Sequence, residues 1–148
     1  MHAVELTEAL RAAGGRLTGP RVEVLQVLTD AGHGHLSALE IHRRGLERQP
    51  AWDLSTVYRT LTRLEELGLV HAVPVGGEMR YARADGRHLH AICTRCGRIE
   101  EPSGPEVEAV LDRLAAATGM DLAASGVVTL NGICRSCRAR PGGREAPA

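Results

Sequence analysis

The sequence predicts an α+β chain in two parts: a helical N-terminal domain closed by a β-hairpin, then a small α/β domain cross-linked through cysteines. Three observations carry this reading. Apolar residues recur at helical spacing through the first half, two short extended runs flank Gly76-Gly77, and all four cysteines fall into two Cys-x-x-Cys pairs, Cys93/Cys96 and Cys134/Cys137.

Val4 to Ala12 reads as a first helix, ended by Gly14-Gly15. A second opens at Leu17-Thr18-Gly19-Pro20-Arg21, with Thr18 as N-cap and Pro20 in the first turn, where its missing N–H costs nothing. Val22, Leu25 and Leu28 are expected to face its core. A third helix runs from Ser37 or Ala38 to Arg48, and Ser37 with Glu40 three residues on has the pattern of a capping box. The fourth starts at Asp53-Leu54-Ser55, buries Val57, Leu61, Leu64 and Leu67, and stops at Gly68. Its other face presents Thr56, Tyr58, Arg59, Thr62 and Arg63. Leu69–Val73 and Met79–Ala82 then pair across Gly76-Gly77 as a hairpin. Helices that end in a two-stranded wing outline a winged helix-turn-helix, expected over residues 1–84.

Residues 85–140 change texture. Extended stretches at His88–Ile92 and Arg98–Glu101 precede a helix over Glu106–Thr118 and a strand over Val127–Ile133, which carries the chain to the second cysteine pair. So little apolar sequence favours a metal cross-link and a dimer interface. Residues 141–148 are expected to be a disordered tail.

Composition bounds the function. At 148 residues there is room for one domain or two small ones. No apolar run approaches the ~20 residues that a membrane span needs, and the N-terminal stretch lacks a signal-peptide core. A reducing, cytoplasmic compartment is expected, which favours thiolates over disulfides. A disulfide inside Cys-x-x-Cys closes a very small loop and adds little, whereas four thiolates in two pairs make a closed tetrahedral zinc site. The chain lacks the His-Glu-x-x-His of zinc hydrolases and the His-x-Glu and Pro-Cys-x-x-Cys of nucleobase deaminases, so an enzyme is not expected. One Trp, two Tyr and no Phe leave few stacking platforms for single strands.

Every basic residue is arginine and the formal net charge is zero. Phosphate or guanine contacts therefore fall to forked guanidinium groups. A recognition helix enters the major groove by its N-terminal residues, here Ser55, Thr56, Tyr58 and Arg59, and Arg16, Arg21 and Arg63 are further candidate DNA contacts. Through Leu67, eight arginines face nine acids. With no bulk basic field, specific binding should need a dimer.

His88 and His90 lie two apart on an expected strand, so their imidazoles leave the same face. Glu101 on the following strand adds a carboxylate, and His35 in a Gly-His-Gly-His-Leu loop reaches in from the first half. Three imidazoles and a carboxylate suit Zn, Fe, Mn, Co or Ni.

These segments together resemble the ferric uptake regulator superfamily of bacterial metal-responsive repressors. The matching stretches are Leu-Thr-x-Pro-Arg at 17–21, His-Leu-Ser-Ala at 35–38, Leu-Ser-Thr-Val-Tyr-Arg-Thr-Leu at 54–61, Leu-Gly-Leu-Val at 67–70, His-x-His-Ala-Ile-Cys-x-x-Cys-Gly at 88–97, and the last Cys-x-x-Cys. The resemblance implies a homodimer that binds a palindromic double-stranded operator, with winged-helix arms hinged near Ala84 to Gly86 on a dimerisation core. It implies structural zinc on Cys93, Cys96, Cys134 and Cys137, and a regulatory divalent metal (Zn, Fe or Mn) on His35, His88, His90 and Glu101. Arg16 resembles the family's minor-groove contact, and Tyr58 with Arg59 its major-groove pair.

Where iron and peroxide sensors of the superfamily carry a carboxylate after the wing's last aromatic, Tyr81 is followed here by Ala82. Four regulatory ligands remain, with His33 or His71 as the substitute donor. A further superfamily site meets Arg87 and Leu89 and keeps only Glu108. The expected function is a metal-dependent repressor of metal-homeostasis or oxidative-stress genes, the alternative being a peroxide-responsive (iron- or manganese-loaded) or thiol-redox-responsive repressor.

Overall fold

The computed structural model describes residues 3–84, 86–122 and 126–140. The expected tail at 141–148 and Asp85, at the centre of the expected hinge, lie outside the described residues. The chain divides into two units, Met1–Val73 with Met79–Ala84, and Pro74–Glu78 with Asp85–Ala148.

The first unit, apart from the hairpin tip at Pro74–Glu78, runs α1 (Ala3–Ala12), α2 (Gly19–Asp30), β1 (Leu36–Ser37), α3 (Ala38–Gly45), α4 (Leu54–Glu66), β2 (Val70–Val75) and β3 (Glu78–Arg83). The sheet order is β1-β3-β2, and β1 lies antiparallel to β3 with Leu36 opposite Tyr81 and Ser37 opposite Arg80. Gly76 and Gly77 turn the hairpin with φ of 57° and 81°. Two consecutive positive φ values are what a type I′ turn requires, and glycine adopts them at no steric cost. Three helices, a short strand and a two-stranded wing make this a winged helix preceded by α1.

One core joins these elements: Leu6 and Leu10 of α1, Val24, Leu25 and Leu28 of α2, Ile41 of α3, Val57, Leu61 and Leu64 of α4, and Val70 of β2. The buried stripe of α2 runs through Val24, Leu25, Val27 and Leu28. Val22 falls off it and is half-buried, so the expected register of that helix is corrected. Thr18 occupies the N-cap position of α2 with extended backbone but makes no side-chain capping bond. Ser37 makes the full capping box: its hydroxyl accepts from Glu40 N at 3.2 Å, and its own N–H donates to Glu40 Oε2 at 2.8 Å.

Helix α3 ends at Gly45, not at the expected Arg48. Gly45 backs directly onto the Trp52 indole, which would overlap any Cβ built there. The chain turns away at once, with Gln49 N donating to Gly45 O at 2.8 Å. Arg48 instead ties this turn to α2 through Glu23 at 2.9 Å and Asp30 at 3.2 Å. Gly45→Ala is therefore expected to cost about 1–3 kcal/mol of stability by overpacking, read as a lower melting temperature of the first unit. An unchanged melting temperature would show that Trp52 gives way freely.

The second unit contains β4 (His88–Cys93), β5 (Ile99–Glu100), α5 (Pro105–Thr118), β6 (Val127–Gly132) and α6 (Arg135–Arg138). The sheet order is β5-β4-β6. Strands β4 and β6 are parallel, in register from His88 opposite Val127 to Cys93 opposite Gly132. A parallel pair needs a crossover, and α5 lies on it. Arg87, just before β4, clamps α5 by donating to Asp112 Oδ1 at 2.7 Å and Glu108 Oε2 at 2.6 Å. Buried apolar residues on these elements are Leu89, Ile92, Cys93 and Leu111, a small core for a unit of this length.

Candidate metal centres and nucleic-acid interface

The parallel register builds the cysteine centre. Because Cys93 ends β4 opposite the last residue of β6, the two Cys-x-x-Cys turns emerge at the same end of the sheet. The four Sγ atoms lie within 4.8 Å of one another, and Cys96 Sγ is 3.9 Å from Cys134 Sγ. Zinc–sulfur bonds of ~2.3 Å in a tetrahedron put neighbouring sulfurs about 3.8 Å apart. The donor set therefore fits zinc. The first turn closes through Gly97 N to Cys93 O at 2.9 Å, and Gly97 takes a φ of 70°. Cys134 N donates to Cys93 Sγ at 3.3 Å, and Cys134 also N-caps α6, which holds Cys137.

Electrostatics point the same way. Backbone N–H groups of Cys134 and Cys96 pull the Cys93 thiol down to about 6, while hydrogen bonding to the Cys134 and Cys96 sulfurs pushes the Cys137 thiol up to about 12. The first thiolate is welcome and the last is opposed by the others. Four thiolates together call for a divalent cation among them.

Each unit also brings together two potential metal donors of its own. In the first, Nε2 of His35 lies 3.3 Å from Nε2 of His71, bringing the residue before β1 to the second residue of β2. Two nitrogens bound to one tetrahedral zinc at 2.0–2.1 Å sit about 3.4 Å apart, so this spacing fits two ligands of one ion as well as a hydrogen bond between the rings. Arg80 fixes the loop by donating to His35 O at 3.4 Å while facing Glu40. In the second, His90 Nε2 lies 3.0 Å from Glu101 Oε1. His90 is 0% exposed. Burial, with the neighbouring His88, pushes its pKa down to about 4, leaving a neutral imidazole as metal ligation requires. The His88 ring stands 5.3 Å from that of His90, on the shared face that strand alternation predicts. Glu101 directly follows β5 and is not itself on the strand. Sequence reasoning placed His71 only among substitute donors; it is buried on β2, and no motif in the sequence marked it.

Four of the candidate DNA contacts, Ser55, Thr56, Tyr58 and Arg59, lie on α4. Asp53 caps the helix by accepting from Thr56 N at 2.8 Å. The Ser55 hydroxyl donates to Asp53 Oδ1, and the Thr56 hydroxyl to Asp53 Oδ2 at 3.1 Å. Arg59 then donates to both hydroxyls, at 3.3 Å to Ser55 and 3.0 Å to Thr56. The Ser55 hydroxyl and the Thr56 N–H hold the Asp53 carboxyl down to about 2. Tyr58 is 51% exposed. Arg16 is exposed in the loop before α2, and its carbonyl accepts from Arg21 at 3.0 Å. Arg63 pairs with Glu66 at 2.7 Å, within the helix.

A winged helix with two sets of potential metal donors is the pattern of a metal-responsive regulator of transcription. The ferric uptake regulator family model matches residues 12–129. A ferric uptake regulation protein of Legionella pneumophila is 33% identical over 137 residues, covering 91% of this chain and 100% of that protein. Among solved structures, the ferric uptake regulator of Pseudomonas aeruginosa with manganese is similar at TM-score 0.73 and 32% identity, over 88% of this chain and 98% of that one. A zinc uptake regulator complexed with zinc and DNA is similar at TM-score 0.62 and 28% identity, over 93% of each chain. The chain belongs to the ferric uptake regulator family, whose members are metal-responsive transcription regulators and not enzymes. No described helix is long and apolar enough to cross a membrane.

Proposed function

We propose that this protein is a metal-dependent repressor that binds a palindromic operator as a homodimer. Residues 1–84 act as the DNA-binding domain and residues 85–140 as the dimerisation and metal-binding domain. Cys93, Cys96, Cys134 and Cys137 hold a structural zinc. His35 and His71 on the winged helix, with His90 and Glu101 on the second unit, would hold the regulatory metal, and His88, whose ring neighbours that of His90, would be a fifth donor. The observation that carries this reading is that each unit brings two donors together, His35 Nε2 and His71 Nε2 at 3.3 Å and His90 Nε2 and Glu101 Oε1 at 3.0 Å. A divalent cation held by these residues would supply a Lewis acid. The residues of the chain do the rest: they fix the orientation of α4 and so match two recognition helices to successive major grooves.

Three imidazoles and one carboxylate form a complete four-coordinate shell for zinc, and a fifth donor suits iron or manganese. Ala82 in place of a carboxylate removes an oxygen donor, and with His88 as the fifth donor zinc, iron and manganese remain the candidate effectors. The dimer is supported by β6, an edge strand among the described residues, with Leu130 on it 53% exposed and Ile133 just after it 41% exposed. Unpaired apolar edges of this kind call for a partner.

The test is fluorescence anisotropy on duplexes selected by the protein, titrated anaerobically with Zn, Fe, Mn or Ni while the cysteine zinc is retained. One metal should raise affinity about tenfold or more, within the 5- to 150-fold range of ordinary allosteric coupling. Tight binding indifferent to every metal would overturn the reading, and a loss of binding on peroxide treatment of the iron or manganese form would reassign the signal. Arg59→Ala is expected to cost about 1–3 kcal/mol of operator affinity, the worth of one bidentate base contact, while leaving the metal response of the residual binding intact.

A further inference from the structure

Deepening the operator-reading role of α4, we infer that Asp53 is a specificity-determining residue that never touches a base: it fixes the hydrogen-bond polarity of Ser55 and Thr56 and the placement of Arg59. The argument rests on the direction of each bond. A hydroxyl has one proton to donate and two lone pairs that accept. Ser55 and Thr56 both give that proton to Asp53, and each accepts one N–H from Arg59. Each hydroxyl is left with one acceptor position and no donor. A guanidinium has five N–H groups, of which these bonds use two, so three remain for DNA.

This polarity has a definite complement in the major groove. A hydroxyl that only accepts matches the exocyclic amino groups, adenine N6 or cytosine N4, and fits poorly against guanine O6, thymine O4 or a phosphate oxygen, all of which need a donor. Arg59 supplies the opposite polarity, suited to guanine O6 and N7. The start of α4 therefore presents a fixed pattern, acceptors at Ser55 and Thr56 beside donors at Arg59. The cluster also carries a carboxylate toward the nucleic acid, which penalises approach to phosphate alone and raises the cost of non-specific docking.

Asp53→Asn separates this role from capping. Asparagine is as good an N-cap as aspartate, so α4 should persist. Its amide nitrogen donates where a carboxylate oxygen accepted, so at least one hydroxyl must turn its proton outward. The probe is a pool of duplexes with a randomised core, selected by metal-loaded, full-length wild type, then one selected duplex and one scrambled duplex of the same composition. For Asp53→Asn we expect about a tenfold loss on the selected duplex, unchanged or tighter binding to the scrambled one, and relaxed preference at the positions bearing the amino groups. Ser55→Ala/Thr56→Val, which keeps the Asp53 cap on Thr56 N, should relax the same positions, and it decides the matter if Asp53→Asn melts early. Identical sequence preference and selected-to-scrambled ratio in these variants would reduce Asp53 to a helix cap and overturn the inference. If wild type enriches no sequence and Arg59→Ala changes nothing, the operator-reading role of α4 fails first and the inference falls with it.

Discussion

Cys93→Ser is expected to abolish zinc binding and to unfold the second unit, while the four helices of the winged domain remain. Cys93 is the buried member of the set and receives a backbone N–H from Cys134 across the joint between the two knuckles. A serine hydroxyl there is a poor zinc ligand and shortens the reach to the ion. Structural zinc contributes about 10–16 kcal/mol in small zinc-organised peptides, comparable to the ~5–15 kcal/mol that holds a whole domain together. With Leu89, Ile92 and Leu111 as the buried aliphatic residues of its sheet and main helix, the second unit cannot make up such a loss. The Arg87 clamp on Glu108 and Asp112 does not compensate either, because both carboxylates are more than half exposed and solvent-facing ion pairs contribute little. Zinc content by mass spectrometry and helix content by circular dichroism check this. A variant that keeps its zinc and its melting curve would show that three cysteines suffice. Chelation of the wild type should reproduce the variant's state.

The sequence was most readable where local chemistry dictates structure. Ser37 with Glu40, Asp53 before α4, Gly76-Gly77 between alternating runs and the paired Cys-x-x-Cys turns each specify a conformation within a few residues, and all four stand as expected. Legibility failed where a distant contact decides. Gly45 ends α3 because Trp52 packs against it, and nothing within α3 itself announces that neighbour. The two-residue strand β1 is too short to show alternation and exists because Tyr81 and Arg80 pair with it. The partner of His35 lies 36 residues away on β2, where a single histidine among valines reads as an ordinary strand position. His88 and His90 drew attention as a His-x-His motif. His71 had no motif, only burial.

That difference sharpens the prediction for the regulatory centre. His35→Ala is expected to eliminate the metal response while leaving the cysteine zinc, the dimer and metal-free DNA binding unchanged. His35 is half-buried in a loop that Arg80 holds through the backbone carbonyl, so the loop does not depend on the imidazole. Its loss removes one donor of the His35–His71 pair without opening a cavity. His90→Ala should have the same functional effect with an added stability cost, since His90 is completely buried and its removal leaves Glu101 without that partner. His88→Ala is expected to fall between: it removes the fifth donor and weakens metal affinity, while the four donors that remain still make a four-coordinate shell. Operator affinity measured across a buffered metal titration orders the three. His35→Ala and His90→Ala should stay flat at the metal-free level, and His88→Ala should rise at higher metal. A full response in His35→Ala would exclude the winged domain from the regulatory site. Coupling between metal and DNA would then have to originate within the second unit, through β4 and the dimer edge at β6.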